Sequence, residues 1–432
     1  MSAKRGEVTA WAMYDFACSA FTTIIVTFVF SKYYADVVVG DEIAGPIYWT
    51  RAINASALIV ALVTPVLGAV ADLAGRKKLF LAIVSVQSIL FTVLLFWAGP
   101  GDAVRAAVIF IIANVGFEAA QVFYNSLLLD ITDRTTIGRV SGFGWGLGYI
   151  GGLLALVIAL AMVRQWIPIS EADNLNVRAI VLLVAAWYAA FMLPLFLVVR
   201  EGPAQAPNMT AAGYARLGFR RVAETFGHLR TYREAAKLLV ARLVYNDGLT
   251  TIFAMAAIYA GAAFGMPLEE FLILGIAINL AAGIGAYAFG FVDDRIGGKR
   301  TIVISLIVLT AAVAAAATTE SVTVFWIAGI VLGIMVGPNQ SASRSLLSRM
   351  VPEQKQGEFF GFYAFSGKLS SILGPLAYGL VLGATESHRA AVGSVAAFFV
   401  VGLVLLLFVD EREGTARALQ LEHAESAPAD AG

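Results

Sequence analysis

The sequence predicts an all-α membrane protein with twelve transmembrane helices in two pseudo-symmetric halves of six. Three observations lead to this fold class: the composition, the number of long apolar stretches and an internal repeat. Of the 432 residues, 59% are hydrophobic and 14% are charged, whereas soluble domains average about 45–50% apolar and about 25% charged residues. A water-soluble core cannot hold so many apolar side chains, so we expect the chain to lie in a lipid bilayer.

Charge and reactive side chains exclude several classes of protein. The 30 basic and 30 acidic residues cancel, which argues against a nucleic-acid partner. Cys18 is the single cysteine, and the three histidines, His228, His388 and His423, lie far apart in the sequence. A metal site of the usual kind needs such ligands close together. We therefore expect no metal, no cofactor and no enzymatic activity.

Twelve stretches are long and apolar enough to cross a bilayer, which takes about 20 residues per helix. Each must be helical, because lipid offers no partner to open backbone groups, and their continuous apolar runs lack the alternation of a β-barrel. The first is too long for the apolar core of a signal peptide. The stretches are residues 8–34, 48–72, 79–98, 104–129, 140–163, 177–199, 236–262, 268–292, 300–318, 321–343, 358–384 and 388–409.

The distribution of Lys and Arg orients these helices. With both termini in the cytosol, 22 of the 30 basic residues fall in cytosolic segments, and Arg242 and Lys368 lie within spans. Basic residues concentrate on the cytosolic side of membrane proteins. The chain is thus predicted to be a multi-pass protein of the cell (inner) membrane with cytosolic termini. The six basic residues on the other side are Lys32, Arg51, Arg105, Arg164, Arg178 and Arg389.

We divide the chain into an N-terminal half (1–200), a linker (201–235), a C-terminal half (236–412) and a tail (413–432) that is predicted to be disordered. Apolar residues recur at helical spacing in the linker, with arginines between them. This pattern predicts either a basic amphipathic helix on the inner leaflet or a plain helix between domains. The apolar positions are Tyr214, Leu217, Val222, Phe226 and Leu229.

Two blocks of sequence recur at nearly one offset. Gly68, Asp72, Gly75, Arg76 and Lys77 follow span two, and residues 222 positions later follow span eight as Gly290, Asp294, Gly297, Gly298 and Lys299. Gln121 and Ser126 of span four recur 219 positions later as Gln340 and Ser345. Two separate blocks at such similar offsets predict two six-helix halves in parallel repeat.

The loop at residues 68–78 (GAVADLAGRKK) resembles the signature between helices two and three of the major facilitator superfamily. Four further segments resemble the vacuole-effluxer branch, which includes an autophagy-linked exporter of amino acids. They are 11–21 (WAMYDFACSAF), 245–248 (YNDG), 340–346 (QSASRSL) and 358–368 (EFFGFYAFSGK). Cys18 stands where the branch usually has asparagine. The resemblance implies a major facilitator fold and a transport function, with helices one, four, seven and ten around a central cavity.

The resemblance also implies a gate at the cytosolic ends of the spans. A carboxylate such as Asp72 can pair with nearby basic residues or cap the N-terminus of a neighbouring helix. Either contact would form when the cytosolic side is closed and break when it opens. The alternative for Arg76 and Lys77 is that they only hold the loop in the cytosol. The candidate gate residues are Gly68, Asp72, Gly75, Arg76, Lys77, Gly290, Asp294, Gly297, Lys299 and Arg300.

Span four carries a polar stripe on one face. Asn114, Glu118, Gln121 and Asn125 are spaced so that they fall within about 60° of one another on a helix. Polar membrane residues can also form a hydrogen-bonded seam between helices, but four groups including an acid favour a cavity wall. Glu118, near the midplane, is the expected carrier of a coupling proton, with Asp247 as the next candidate. The main alternative is that Glu118 contacts the solute directly.

Charges buried in the membrane are costly and mark functional sites by default. Asp15 is predicted either to pair with Arg242 or Lys368 or to contact the solute directly. The candidate residues of the solute and ion cavity are Asp15, Ser19, Thr22, Asn114, Glu118, Gln121, Asn125, Arg242, Asn246, Asp247, Asn339, Gln340 and Lys368.

These observations predict a monomeric secondary transporter that moves a small polar or zwitterionic solute by alternating access. Mixed acids, bases and amides suit a zwitterion, and the resemblance implies amino-acid export. The sequence has no nucleotide-binding loop, so we expect a proton gradient as the energy source. The alternatives are a multidrug or sugar transporter of the same fold, and a non-transporting receptor or lipid scramblase.

Overall fold

The fold is described from a computed structural model that covers residues 2–41, 44–201, 211–227, 230–370 and 373–426. All regular structure in these ranges is helical. Within the described residues, twelve segments are long and apolar enough to cross a membrane. The predicted fold class, an all-α membrane protein with twelve spans, is confirmed.

The N-terminal half contains spans one to six. Span one is continuous from Arg5 to Val39 and changes to wider π-helical turns in its second part. Its pieces are α1 (Ser2–Ala20), a π-helix (Phe21–Phe28), α2 (Phe30–Tyr33) and a second π-helix (Tyr34–Val39). The remaining helices are α3 (Ala44–Ala74), α4 (Lys77–Leu94), α5 (Ala103–Ser126), the short α6 (Leu128–Ile131), α7 (Ile137–Val163) and α8 (Leu175–Val198).

The C-terminal half repeats this order after the linker helix α9 (Ala211–Gly227). Spans seven to ten are α10 (Arg233–Phe264), α11 (Leu268–Ile296), α12 (Gly298–Thr318) and α13 (Val322–Met350). Span eleven is divided into α14 (Gln356–Leu369) and α15 (Leu373–Thr385), and span twelve is α16 (His388–Leu407). A last helix, α17 (Glu411–Ser426), follows the spans.

The two halves meet where α3 crosses α14 and where α7 crosses α11. At both crossings the backbones touch, because a Cβ atom at Gly68 would overlap the carbonyl of Gly357 and one at Gly142 would overlap the carbonyl of Ala286. Small residues allow helices in membranes to approach this closely. The glycines of spans two and five thus set the contact between the halves.

Large apolar side chains are exposed on the outer surface. Leu62 is 65% exposed, Leu197 80% and Leu380 66%. A water-soluble protein would bury such residues, whereas lipid tails solvate them. The exposure of these leucines fits a protein surrounded by lipid.

The tail prediction was wrong over most of its length. Residues 411–426 form the helix α17, whereas 427–432 lie outside the described residues. The helix is held because Gly414 packs against Met350, Ala418 is buried and Glu422 pairs with Arg134. The polar composition of residues 411–426 therefore belongs to a helix that packs on the rest of the protein, not to a disordered tail.

The predicted linker helix is present as α9, and it packs on the protein. A Cβ atom at Gly218 would meet Val66 and Val70 of α3, and Arg221 donates to the carbonyl oxygen of Gln354 (2.8 Å). Leu229 and the side chains of Tyr214 and Phe226 lie outside the described residues. Phe219 of α9 is 63% exposed.

Candidate functional site

A cavity of about 1040 Å³ lies between the two halves. Its wall is formed by spans one, four, five, seven, eight, ten and eleven, with a few residues of spans nine and twelve. Most of the lining side chains are apolar. This volume is at the upper end of the range for small-molecule sites, about 300–1,000 Å³.

The cavity opens away from the termini. We call the side that carries α17 and the start of α1 the termini face. Lys32, Leu160 and Tyr259 line the cavity and lie at the far ends of spans one, five and seven. The Lys32 side chain is 77% exposed. At the other end, Asp15 and Arg344 form the floor.

Arg344 ties the C-terminal half to three helices of the N-terminal half. Its Nη1 donates to Asp15 Oδ2 and Asn125 Oδ1, both at 3.1 Å, and its Nε donates to Ser141 Oγ at 2.8 Å. The guanidinium also lies 4.9 Å from the centre of the Trp11 ring. Of the two alternatives for Asp15, the pairing with Arg242 or Lys368 was wrong, because Arg344 is its partner.

Glu118 and Lys368 form a second ion pair between the halves. They project from α5 and α14, and their side chains are 19% and 26% exposed. Both residues line the cavity. This pair links the middle of span four to span eleven.

Amide and hydroxyl groups form a polar patch on the cavity wall. Gln340 donates to Asn246 Oδ1 at 2.9 Å, and Asn246 donates in turn to Ser370 Oγ at 2.5 Å. Gln121 donates to Cys18 Sγ at 3.1 Å. Ser19 and Thr22 also line the cavity. These neutral groups offer hydrogen bonds to a polar solute.

Three candidate cavity residues do not line the cavity. Asn114 donates to Ser56 Oγ (2.7 Å) and Asn339 donates to Ser305 Oγ (2.9 Å), so each belongs to a seam between neighbouring helices of one half. Asp247 accepts the backbone N–H groups of Leu373 (3.0 Å) and Gly374 (2.8 Å). It caps the N-terminus of α15 and is thereby turned away from the cavity.

Two aspartates close the termini face by capping helices of the opposite half. Asp72 accepts the backbone N–H groups of Gly357 and Glu358 at the start of α14, both at 2.9 Å. Asp294 accepts those of Gly138 (2.8 Å) and Arg139 (3.3 Å) at the start of α7. A carboxylate at a helix N-terminus gains from the orphan N–H groups and the helix dipole.

Each glycine of the repeated motif is required either by a tight turn or by a close helix crossing. Gly75 and Gly297 have positive φ angles, +57° and +92°, which end α3 and α11 in a turn that other residues rarely adopt. Gly68 and Gly290 lie at crossings where a Cβ would meet backbone atoms of α14 and α7. The motif therefore specifies a tight turn and a close helix contact in each half.

Two basic residues of the motif, Lys77 and Lys299, make contacts within their own halves. Lys77 pairs with Asp130 at 3.3 Å, and Lys299 donates to the carbonyl oxygens of Leu407 (2.9 Å) and Val409 (2.6 Å). Arg76 and Arg300 are exposed. Lys299 thus contacts the end of span twelve, and the gate role of Lys299 and Arg300 stays a prediction.

Lys78 and Lys299 make equivalent contacts in the two halves, although the offset of 222 pairs Lys299 with Lys77. Lys78 donates to the carbonyl oxygens at the end of α8, as Lys299 does at the end of α16. Glu201 and Glu411 accept the first N–H groups of α4 and α12. Burial raises the pKa of the Glu201 carboxyl. These clamps hold spans three and six, and spans nine and twelve, together within each half.

Arg344 is a residue that the sequence analysis missed as a cavity charge, because span ten was ended at residue 343. The repeat offers a signal for it: at the offset of 219, Arg344 corresponds to Asn125 of the polar stripe. The two residues contact each other in the structure. Position in the repeat was thus the informative feature.

The twelve spans, the central cavity and the repeated caps define a membrane transporter of the major facilitator class. The model of the family "Vacuole effluxer Atg22 like" matches residues 47–138 and 129–419, so the chain belongs to that family. It is 29% identical over 418 residues to the uncharacterized MFS-type transporter YxiO of Bacillus subtilis, covering 95% of this chain and 96% of that one. It is 26% identical over 345 residues to autophagy-related protein 22 of Yarrowia lipolytica, covering 72% of this chain and 57% of that one.

Solved transporters share the fold. The human organic anion transporter MFSD10 superposes with a TM-score of 0.71 at 15% identity, covering 93% of this chain and 99% of that one. The proton:xylose symporter XylE gives 0.71 at 16% identity, with 97% and 99% covered. At such low identity the likeness concerns the fold alone.

Proposed function

We propose that the chain is a secondary active transporter that exports a small polar or zwitterionic, amino-acid-like solute by alternating access. The observation that carries this proposal is a central cavity closed at one end by two reciprocal helix caps. Asp72 of the N-terminal half caps α14, and Asp294 of the C-terminal half caps α7. Contacts of this kind can be made and broken as a unit, which alternating access requires.

The distribution of basic residues supports a cytosolic termini face. With that orientation, the cavity is open to the outside and closed to the cytosol in this structure. Asp15–Arg344 then forms a second closed layer below the caps. Solute uptake from the cytosol requires both layers to separate, and the halves to close at the opposite end.

A proton gradient is the proposed energy source, with Glu118 as its carrier. The pair with Lys368 joins the halves next to the cavity, so protonation of Glu118 would weaken a contact on which the conformation depends.

The identity of the solute rests on the family resemblance and on the polar patch. The family is described as a vacuole effluxer, and the fungal relatives carry the name autophagy-related protein 22. The match covers only 57% of the Yarrowia protein. The relation therefore supports the proposal of export more strongly than it supports an amino-acid substrate.

A second candidate, a multidrug transporter for apolar amphipathic compounds, is favoured by one observation. The cavity is large, and apolar side chains such as Phe117, Leu249 and Leu332 dominate its wall. A non-transporting receptor or scramblase is disfavoured, because such a protein would not need reciprocal caps in both halves.

Counterflow in proteoliposomes tests the proposal. The purified chain is reconstituted with unlabelled amino acids, sugars or amphipathic drugs inside, and entry of the labelled compound is followed, with protein-free liposomes as the control. We expect saturable exchange of one or more amino acids. Exchange of drugs alone would favour the second candidate, and the absence of exchange across all three classes would contradict the transport function.

A further inference from the structure

Arg242 is a buried cation on the cavity wall that is held by neutral groups. Its side chain is 6% exposed and lines the cavity. Its Nη1 donates to the carbonyl oxygen of Tyr363 and to Ser366 Oγ, both at 3.0 Å. The ring of Tyr363 lies against the guanidinium, with its centre 3.4 Å from Cζ. None of the ion pairs among the described residues includes Arg242.

Such an arginine has an unmet requirement for negative charge. A guanidinium stays protonated in proteins, and removal of a charge from water is costly unless an opposite charge compensates it. A cation–π contact and neutral oxygens compensate only part of that cost. In addition, Nε of Arg242 and the hydroxyl of Tyr363 are buried and lack a hydrogen-bond partner among the described residues.

The carboxylates of the cavity are already engaged elsewhere. Asp15 pairs with Arg344 at 3.1 Å, and Glu118 pairs with Lys368. Apart from Lys32 at its mouth, the described part of the cavity therefore holds three cations against two carboxylates, and Arg242 is the cation without an ion pair there. An anionic solute would balance this charge, whereas an ammonium group would have to displace one of two existing pairs.

We propose that Arg242 binds the carboxylate of the transported solute, and that the site takes an organic carboxylate with an apolar body whether or not it carries an ammonium group. This inference rests on the proposed transport function and narrows its substrate class. A guanidinium matches the two oxygens of a carboxylate. The apolar wall beside it, which includes Phe117, Leu249 and Ile252, suits the remainder of such a molecule.

Four small probes separate the contributions of charge. The melting temperature of the purified full chain is measured with hydrocinnamate, its uncharged analogue hydrocinnamamide, phenethylamine and phenylalanine. We expect hydrocinnamate and phenylalanine to stabilise the protein in a saturable manner, and the amide and the amine to leave it unchanged. Equal stabilisation by the amide or the amine, or no stabilisation by either carboxylate, would overturn the inference.

Variants then test the residue. Arg242→Gln should weaken binding of hydrocinnamate by about tenfold or more, because a charge-assisted hydrogen bond is lost. Arg242→Lys, which keeps the charge but not the planar fork, should lie between this variant and the wild type. Arg51→Gln is the control, since Arg51 is exposed outside the cavity wall. Unchanged affinity in Arg242→Gln would contradict the role of Arg242.

The two proposals fail in different ways. Binding of carboxylates without counterflow of any solute would contradict the transport function alone. Counterflow of an uncharged solute that is unaffected by Arg242→Gln would contradict the carboxylate site alone. If Arg242→Gln does not fold, the comparison of hydrocinnamate with its amide on the wild-type chain still decides the question.

Discussion

Arg344 is a buried arginine that joins the two halves, and its charge is paired and hydrogen-bonded in the closed floor. It belongs to α13, yet its guanidinium contacts Asp15, Asn125 and Ser141 of the N-terminal half. A buried ion pair repays its desolvation only when further hydrogen bonds satisfy both partners. These additional bonds exist only while the floor is closed, so the cluster favours the closed floor.

Glu118 is the residue whose charge we expect to matter most for coupling. Glu118→Gln keeps the shape of the side chain and removes its charge, so it weakens the pair with Lys368. We expect this variant to lose gradient-driven accumulation of solute while keeping part of its counterflow exchange. The measurement compares both assays in proteoliposomes with and without a pH gradient.

Glu224→Gln provides the control for Glu118→Gln, because Glu224 lies on α9 with its side chain 53% exposed. Accumulation with normal pH dependence in Glu118→Gln would contradict the coupling role. Loss of both exchange and binding would instead indicate that Glu118 contacts the solute.

For individual residues, the sequence predicted which side chains lie on the cavity wall better than it predicted which residues those side chains contact. All but three of the candidate cavity residues line the cavity, since helical spacing specifies which face a residue occupies. Spacing cannot tell whether the neighbour across that face is solvent or another helix. Asn114 meets Ser56, and Asp247 meets the start of α15, and both contacts depend on tertiary packing.

At the scale of helices, the same contact is made twice by elements of the repeat. Asp72 on α3 caps α14, and Asp294 on α11 caps α7. The sequence predicted that a cap of this kind was possible, because the motif and its repeat could be recognised. It could not specify which helix was capped, since that depends on how the halves face each other.

We expect Asp72→Asn to slow transport with little loss of folded protein. An asparagine can accept one of the two N–H groups, but its own NH₂ opposes the other and the charge at the helix N-terminus is lost. The closed state should be destabilised by about 1–3 kcal/mol. Transport rates at equal expression measure the effect, and a wild-type rate would refute the gating role.

Two matched variants sharpen the test of Asp72. Asp294→Asn removes the equivalent cap of the other half and should act in the same direction. Asp133→Asn alters a cap within one half, because Asp133 accepts the N–H groups of Thr135 and Thr136. Hydrogen bonds from Thr135 and Thr136 lower the pKa of Asp133. Because the hydrogen bonds lost in Asp133→Asn lie within one half, this variant should leave the balance between the open and closed termini face unchanged.

The close crossing of α3 and α14 gives a second prediction at this scale. A Cβ atom at Gly361 would lie 2.5 Å from the carbonyl oxygen of Thr64 and from Cα of Pro65. Gly361→Ala should therefore destabilise the closed termini face by about 1–3 kcal/mol, as overpacking does elsewhere. Spin labels at the exposed positions Arg5 and Arg300 would report wider separation of the halves.

Gly379→Ala is the control for Gly361→Ala. It lies in the same span, but a Cβ atom there would meet no atom of the described residues within 4 Å. Any effect of adding a methyl group to a membrane helix should appear in both variants, whereas the change in label distance should appear only in Gly361→Ala. Identical distance distributions in the two variants would contradict steric control of closure by Gly361.

At the scale of the whole molecule, α17 connects the two halves across the termini face. Glu422 accepts a hydrogen bond from Arg134 of the N-terminal half (2.6 Å) and from the backbone N–H of Glu353 of the C-terminal half (2.8 Å). Arg134 also donates to the carbonyl oxygens of Ser348 and Val351, both at 3.2 Å. Composition alone predicted disorder here, because the partners of α17 are distant in sequence.

Glu422→Gln should loosen this connection and favour opening of the termini face. The side chains of Arg134 and Glu422 are only 16% and 21% exposed, so their charge-assisted bond is worth about 1–2 kcal/mol. This corresponds to about a 5- to 30-fold shift in the ratio of open to closed molecules. Distances between spin labels at Arg5 and Arg300 measure the shift.

Glu413→Gln is the matched control on α17, because Glu413 is 59% exposed and lies 3.8 Å from Arg233. A shift in Glu422→Gln alone would identify α17 as part of the gate, whereas equal distances in both variants and the wild type would restrict α17 to a passive structural role.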